Sequence, residues 1–567
     1  TSCRKRDTAM VEKQDQALVK LVMGRQTKLE SDKSSFNDRL QDVADYVCPH
    51  RDDIRGTQVL GERQGRKIYD GTAVSAAVLA ADGIHGYHVS PAFPWFKYMM
   101  NRKEVNKIPQ VKDWLQEIEF NMYMSLNRSN FYAEMWSYIY DGFTLGTAPI
   151  YPEEDIAQGR IGFESAHPGE VYIAENRYGE VDILHRKRKI AARKIVQMFG
   201  LENCTDPVKQ AAENNPFQEF EIIHAIFPRE EYDDRKMDGR NKPFASVWIL
   251  TGGNHVCRVS GMDRFGYMVW RYMKTGKSPY GVSPAHLAMA DIIGLNHMGK
   301  TLAGAAQLAV DPAYNVPAYL EGKVQLKPRG LNYFEKYEDR ITPVNTGGSF
   351  PIGIDREQAK QRSIKERFHV DTFLMLANLD GRGQRTAYEV SEMMAEKAAV
   401  LGAELGPLNA ELDSILDRVY DIETAAGRMP APPDILLEMA DKDPHLRFDP
   451  VYQGPLAQAQ RERFNKDSRR KFMMDLTPLA QIDMTVLDNF DLDAMSRNIA
   501  DDSGLQQEEI RDKDARDQIR KGRQEAAAQQ AELEAVAAAA PAVKQIASAD
   551  KDLGGRLMQA MGGMNGS

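Results

Sequence analysis

The chain has 567 residues, 42% hydrophobic and 27% charged, long enough for three or four domain-sized units that each bury a core. That excludes a peptide, a disulfide-stapled miniprotein and a chain disordered throughout. Lysine and arginine number 73 against 82 aspartate and glutamate, a formal charge of −9, which argues against a general nucleic-acid coat or an anionic-membrane binder and leaves only local, weak DNA contacts. Cys3, Cys48, Cys204 and Cys257 lie far apart with no C-x-x-C pair, as expected of buried thiols in a reducing compartment. The N-terminal residues lack an apolar signal core. The best apolar stretch, Ala73 to Tyr87, is broken by Asp82 short of the roughly 18 residues a membrane span needs. The expectation is a soluble protein, neither secreted by a standard signal nor membrane-spanning.

Residues 10 to 47 read as a helix-rich lead-in, and the apolar spacing after Pro109 predicts an amphipathic helix to Leu126. From Phe131 to about residue 274, aromatic and β-branched alternation punctuated by glycine and proline predicts an α+β unit. Ser283 before Pro284 supplies an N-cap and a proline at the first helical position. The helix it opens meets no further breaker before Asp311-Pro312, a length of roughly 40 Å at 1.5 Å per residue. Residues 311 to 354, dense in proline and glycine, form an insert between two helices. Asp355 and Gln358 resemble a capping box for the second, whose narrow stripe is Ile364, Phe368, Met375 and Leu379. The glycine-rich charged loop Asp380, Gly381, Arg382, Gly383, Gln384 and Arg385 ends it. Thr386 and Glu389 open a third helix, reaching about Ala426 with a bend at Gly406-Pro407. Residues 505 to 540 have high helix propensity and a thin apolar stripe, either a helix that needs partners or a frayed tail. The last 25 or so residues read as disordered.

Chemical signals are sparse. Gly294 to Thr301 matches G-x-x-x-x-G-K-T in full, which taken alone reads as a P-loop NTPase. A phosphate cradle, however, follows a buried strand and opens a helix, whereas this match falls midway along a helix already begun at Pro284. Packing glycines are the favoured reading, with the NTPase as the alternative. His85 and His88 have no third ligand for a metal, so they read as hydrogen-bonded histidines with no metal expected. Glu153-Glu154 and Asp233-Asp234 read as solvated surface, and no catalytic constellation stands out. His185 to Lys189 reads as an exposed strand end, with a DNA patch as the lesser alternative. Two long helices with narrow stripes need partners to be stable, which points to an oligomer.

The order of these elements resembles the portal proteins, or head-to-tail connectors, of short-tailed (podovirus-type) tailed bacteriophages. The similar stretches are Asn130-Phe131 through Gly142 to Ala148, Arg385 to Val390, Leu401-Gly402 to Leu408, Pro430 to Pro433, and Gly454 to Gln460; together the likeness spans roughly residues 15 to 535. The resemblance implies an α+β, mainly α fold: wing (1–283 and 427–454), stem helices (284–310 and 355–379) and an α/β clip (311–354). It further implies a tunnel loop (380–385), a long helix behind it (386–426), a crown (455–504), a C-terminal barrel helix (505–540) and a disordered tail (541–567). It implies a non-enzymatic ring, usually of twelve copies, at the portal vertex of the virion, assembled in the host cytoplasm without cofactor. The implied partners are major capsid and scaffolding proteins, the terminase large subunit, a tail adaptor or head-completion protein, and double-stranded DNA during packaging and ejection. On this reading Arg356, Lys360, Arg362 and Lys365 either face the channel and steer phosphates or form intersubunit salt bridges. Asp380 to Arg385 contact DNA near the narrowest point, and Lys323, Lys327 and Arg329 lie at clip contacts.

Overall fold

The computed structural model describes residues 2–51, 54, 64–156, 158–233, 235–236, 238–318, 322, 324–325, 332–333, 336–337, 340–343, 350–377, 387–453, 476–478, 489–502, 511 and 513–549. They fall into two units, Thr1–Asp467 and Ser468–Ser567. Unit 1 opens with α1 (Ser2–Tyr46), α2 (Thr72–His88), β1 (Phe96–Met100), α3 (Pro109–Arg128), α4 (Phe131–Thr144), β2 (Thr147–Asp155), β3 (Arg160–Ser165), β4 (Val171–Glu175) and β5 (Val181–Ala191). There follow α5 (Ala192–Phe199), α6 (Asp206–Asn214), β6 (Glu219–Pro228), β7 (Phe244–Leu250), β8 (His255–Met262), β9 (Met268–Arg271), β10 (Met273–Lys274) and β11 (Gly281–Val282). The unit continues with α7 (Pro284–Val310), β12 (Tyr314–Asn315), β13 (Thr342–Pro343), α8 (Phe350–Arg367), α9 (Val370–Ala377), α10 (Ala387–Ala425), α11 (Asp434–Lys442) and β14 (Phe448–Tyr452). Unit 2 holds α12 (Leu492–Asp502) and α13 (Lys513–Ala549), where Asp493 is gripped by Arg516 at 2.9 Å and Arg520 at 2.6 Å. The chain is α+β, mainly α, and no described helix is long and apolar enough to cross a membrane.

The period-two pleat of the antiparallel sheet β4-β5-β6-β7-β8 divides its side chains between two covers. Ile223, Ala225 and Phe227 of β6 and Ala245, Val247 and Ile249 of β7 pack on Val19 and Val22 of α1. Ile222, Trp248 and Leu250 pack instead on Ile195 and Phe199 of α5 and Val208 of α6. The lead-in thus becomes one helix because the sheet supplies a surface along which its stripe is buried. Lys33 of α1 is fully buried, and its ammonium donates to the carbonyls of Pro168 (2.5 Å), Gly169 (3.2 Å) and Val171 (2.8 Å). Burial pushes its pKa down to about 7, against the opposing pull of Glu170.

The basic run His185 to Lys189 departs from the exposed strand end expected of it. It lies within β5, where His185 and Arg186 pair with both β4 and β6 and Lys187 to Lys189 pair with β6 alone. Arg186 meets Glu164 at 2.9 Å and Glu170 at 3.0 Å, Lys187 meets Glu30 at 3.0 Å, and Arg188 also bonds Glu164. These acids come from α1, β3 and the turn before β4, so a run that reads as a patch is neutralised inside the subunit. Glu153 and Glu154 lie near the end of β2, Glu153 exposed as expected, and face Arg258 (3.3 Å) and Arg428 (3.5 Å).

The segment from Phe131, expected to contribute to alternating strands, is the helix α4. Phe131, Met135, Tyr138, Ile139 and Phe143 are all buried, at spacings that place them on one helical face. The face meets β9: a Cβ on Gly142 would stand 2.0 Å from the Trp270 ring, so only glycine admits that indole. Asp141 of α4 is fully buried and pairs with Arg51 at 2.7 Å; burial lifts its carboxyl to about 7.

α10 follows its predicted stripe, with Leu401, Leu405, Leu408, Leu412, Ile415 and Val419 buried and Pro407 inside the helix. Past it the chain returns to the N-terminal part, because β14 pairs antiparallel with β1, Tyr452 opposite Phe96. His88 Nε2 lies 2.6 Å from Asn409 Oδ1 of α10, and His85 Nε2 lies 3.0 Å from the Tyr132 carbonyl. Both histidines are hydrogen-bonded inside the subunit.

Three boundaries differ from expectation. α8 begins at Phe350, so Asp355 and Gln358 are interior and form no cap. The second long helix is not continuous: it breaks at His369 and resumes as α9. α13 runs on to Ala549, so residues 541–549 of the expected tail are helical. The loop Asp380 to Arg385, Thr386, most of the expected crown and Lys323, Lys327 and Arg329 lie outside the described residues.

Candidate stem helices and their bracing

α7 starts where the sequence places it. Ser283 Oγ accepts from the His286 amide at 3.2 Å, and the Ser283 amide donates to His286 Nδ1 at 3.3 Å, a reciprocal box with histidine in place of the usual glutamate. Ser283 Oγ also donates to the Thr144 carbonyl at 2.6 Å, tying the start of α7 to the end of α4. Burial holds His286 down to about 4, so its ring is neutral and its Nδ1 is free to accept.

α8 packs along α7 through polar contacts. Asp291 accepts from Lys360 Nζ at 2.9 Å and from Ser363 Oγ at 3.0 Å, and the Lys360 hydrogen bond keeps its carboxyl below the usual range. Asn296 is buried: its Oδ1 accepts from the amides of Tyr69 (2.7 Å) and Asp70 (3.1 Å), while its Nδ2 donates to the Ile292 carbonyl. Asp70 completes the bridge by accepting from Gln361 Nε2 of α8 at 2.8 Å and from the Thr72 amide at the start of α2. One turn before α2 therefore clamps both long helices.

The G-x-x-x-x-G-K-T match is absorbed by this packing. All of Gly294 to Thr301 is helical, so its amides bond along the helix and leave no loop to wrap a phosphate. A Cβ on Gly294 would meet Lys360 Nζ at 3.1 Å, and one on Gly299 would meet Tyr69 at 3.4 Å. Lys300 Nζ lies 5.7 Å from the Tyr69 ring centroid, and Thr301 Oγ1 donates to the His297 carbonyl. The P-loop alternative is corrected on this geometry.

Of the four stem cations singled out in the sequence, Arg356, Arg362 and Lys365 are exposed on α8. Lys360 differs, because Asp291 meets its charge inside the subunit. Sequence reasoning missed Asp70, Asp291, Asn296 and Gln361. Asn296 did carry a signal, as a polar residue on the stripe of buried α7 positions Ala285, Ala288, Ile292 and Leu295. The turn at Tyr69-Asp70 carried none, since its role depends on helices more than 200 residues away.

The paired long helices are braced against the α+β body, and the polar groups between them are spent on packing. The family described as "Bacteriophage head to tail connecting protein" matches residues 19–510, and the chain belongs to that family. A "Probable portal protein" of Bordetella phage BPP-1 is 30% identical over 538 residues, 91% of this chain and 93% of that protein. A "Portal protein" of Salmonella phage epsilon15 is 30% identical over 513 residues, 88% of each chain. A chain of a solved "Virion of native gene transfer agent (GTA) particle" superposes on 64% of this chain and 83% of its own with a TM-score of 0.32 and 11% identity, too loose a likeness to carry a fold assignment.

Proposed function

We infer that copies of this chain form a ring, a dodecamer, at one capsid vertex of a short-tailed phage. The ring is the conduit for genome packaging and ejection and the platform for tail attachment. Residues 1–283 and 427–454 serve as wing, 284–310 and 355–379 as stem, 311–354 as clip, 380–385 as tunnel loop, 386–426 as the helix behind it, and 455 onward as crown and barrel. The clip meets the terminase large subunit during packaging and the tail adaptor afterwards, while capsid and scaffolding proteins surround the wing. The role is structural, with the ATPase supplied by terminase. The observation that carries this reading is the match to portal-named relatives along about nine-tenths of the chain. A formal charge of −9 per subunit supports it, because a conduit through which duplex DNA slides must not hold many phosphates tightly.

Light scattering and negative-stain imaging of the purified protein test it. A ring of about 770 kDa, twelve copies of 63.8 kDa, with a stained central hole is expected. A monomer that stays monomeric in the presence of scaffolding protein overturns it. Replacing Asp380 to Arg385 by a short Gly/Ser loop is expected to leave rings intact and to lower retention of packaged DNA.

A further inference from the structure

We propose that residues 350–377 are a two-state element: bent at His369 in one state, as here, and a continuous α-helix in the other, with Phe373 withdrawn from α2. His369 sits at φ 54°, a left-handed backbone that is unfavourable for any residue carrying a Cβ. No glycine or proline lies between Ile354 and Ala377, so the sequence supplies no breaker at the corner. Ile364, Phe368 and Met375 would share one face of an unbroken helix, and local preference therefore favours the straight form. The bend is imposed by tertiary packing. Phe368, Val370 and Phe373 are buried on both sides of the corner. Phe373 packs closely against Gly83 of α2, where a Cβ would stand 2.3 Å from its ring. A conflict between local preference and one tertiary seat is the condition for a bistable segment.

The hydrogen bonds make the exchange inexpensive. His369 donates to the Glu366 carbonyl (3.1 Å), and its own carbonyl accepts from the Thr372 and Phe373 amides (3.0 and 3.2 Å). The Phe373 bond is already the i to i−4 bond of a continuous helix. Rotation about the backbone of His369 adds i to i−4 bonds from Val370, Asp371 and Thr372, first-turn amides that a new helix start otherwise leaves without an intrahelical acceptor. Straightening releases α2 from α9 while leaving the Asp291–Lys360 contact of the stem pair in place. The corner thus links the position of α9 to α2 without dismantling α7 and α8.

The test uses the full chain with Cys3→Ser, spin labels at Asp355→Cys and Leu374→Cys, both exposed, and the buried Cys48, Cys204 and Cys257 left in place. A continuous helix puts the labelled Cα atoms about 28 Å apart at 1.5 Å per residue, and the bent form puts them closer. Gly83→Ala removes the seat of Phe373, and His369→Ala replaces a residue type tolerant of positive φ by a strong helix former. Each is expected to raise the straight-to-bent ratio about tenfold and to slow amide exchange at Val370 and Asp371. His369→Gly is expected to move the ratio the other way. If Gly83→Ala fails to fold, the two His369 variants decide. An unchanged single short distance with unaltered exchange in His369→Ala and His369→Gly overturns the proposal.

Discussion

Asn296 Oδ1 lies 2.7 Å from the amide nitrogen of Tyr69, a residue 227 positions away, and also takes the Asp70 amide. The side chain at the third position of the phosphate-loop match is thereby spent on holding a turn, and the turn in turn holds α8 through Asp70 and Gln361. Asn296→Ala strands two amides beside α7 and is expected to cost about 1–3 kcal/mol, read as a fall in the urea midpoint. Lys300→Ala, at an exposed position, is expected to stay within about 0.5 kcal/mol of the parent. ATP hydrolysis by the parent that vanishes in Lys300→Ala would contradict the packing role of this stretch.

Lys33 tests how firmly α1 is fixed. Lys33→Met keeps much of the volume but leaves the Pro168, Gly169 and Val171 carbonyls without their donor. A loss of about 2–4 kcal/mol is expected. Limited proteolysis should then cut α1 before the sheet. Cleavage no faster than in the parent would show that Val19 and Val22 hold the helix without the ammonium.

Stability and pH are linked with opposite signs at two partly buried groups. Burial, with Arg51 nearby, holds His167 down to about 4, against about 6.5 in the unfolded chain. Between those values only the unfolded chain takes the proton, so His167 destabilises the fold as pH falls through that window. Burial lifts Glu411 to about 7; the folded carboxyl keeps its proton between about 4.5 and 7, so its contribution is present at low pH and lost as pH rises. The stability of His167→Asn relative to the parent should therefore rise on acidification from pH 6.5, and that of Glu411→Gln should fall from pH 7, each by up to about 1.4 kcal/mol per pH unit. Urea titrations at several pH values read both slopes.

Two glycines should respond in opposite directions. Gly142→Ala drives a Cβ into the Trp270 ring and is expected to cost about 1–3 kcal/mol or more. Gly304 lies inside α7 with nothing within 4 Å of its Cβ position. Gly304→Ala should gain about 0.5–1 kcal/mol in the isolated subunit. Thermal unfolding distinguishes them.

The exposed cations of α8 separate the two roles proposed for them. Arg356, Arg362 and Lys365 changed together to Gln should leave the ring mass unaltered and flatten the salt dependence of DNA binding by close to one unit of slope for each phosphate they neutralise in the parent. Dissociation of the ring instead would assign them to contacts between subunits.

Where a rule is local, the sequence determined the result. Ser283 and Pro284 start α7 because a side-chain acceptor and a fixed φ act within one turn. The α10 stripe follows from its 3- and 4-residue periodicity, while the strands Glu219–Pro228 and Phe244–Leu250 are continuous apolar runs buried on both faces of the sheet. Helix α4 was obscured because its aromatic-rich composition favours strands, while the spacing of Phe131, Met135, Tyr138 and Ile139 is helical. Tertiary structure alone decided the rest. The charges of Arg186 and Lys187 are absorbed by Glu30, Glu164 and Glu170 from separate elements. Asn296 finds its donors across the fold, and Phe373, beyond the positive φ of His369, meets a glycine on the sequence-distant helix α2. Charge neutralisation, buried hydrogen bonds and close approach depend on which distant groups meet, and one-dimensional patterns do not encode those meetings.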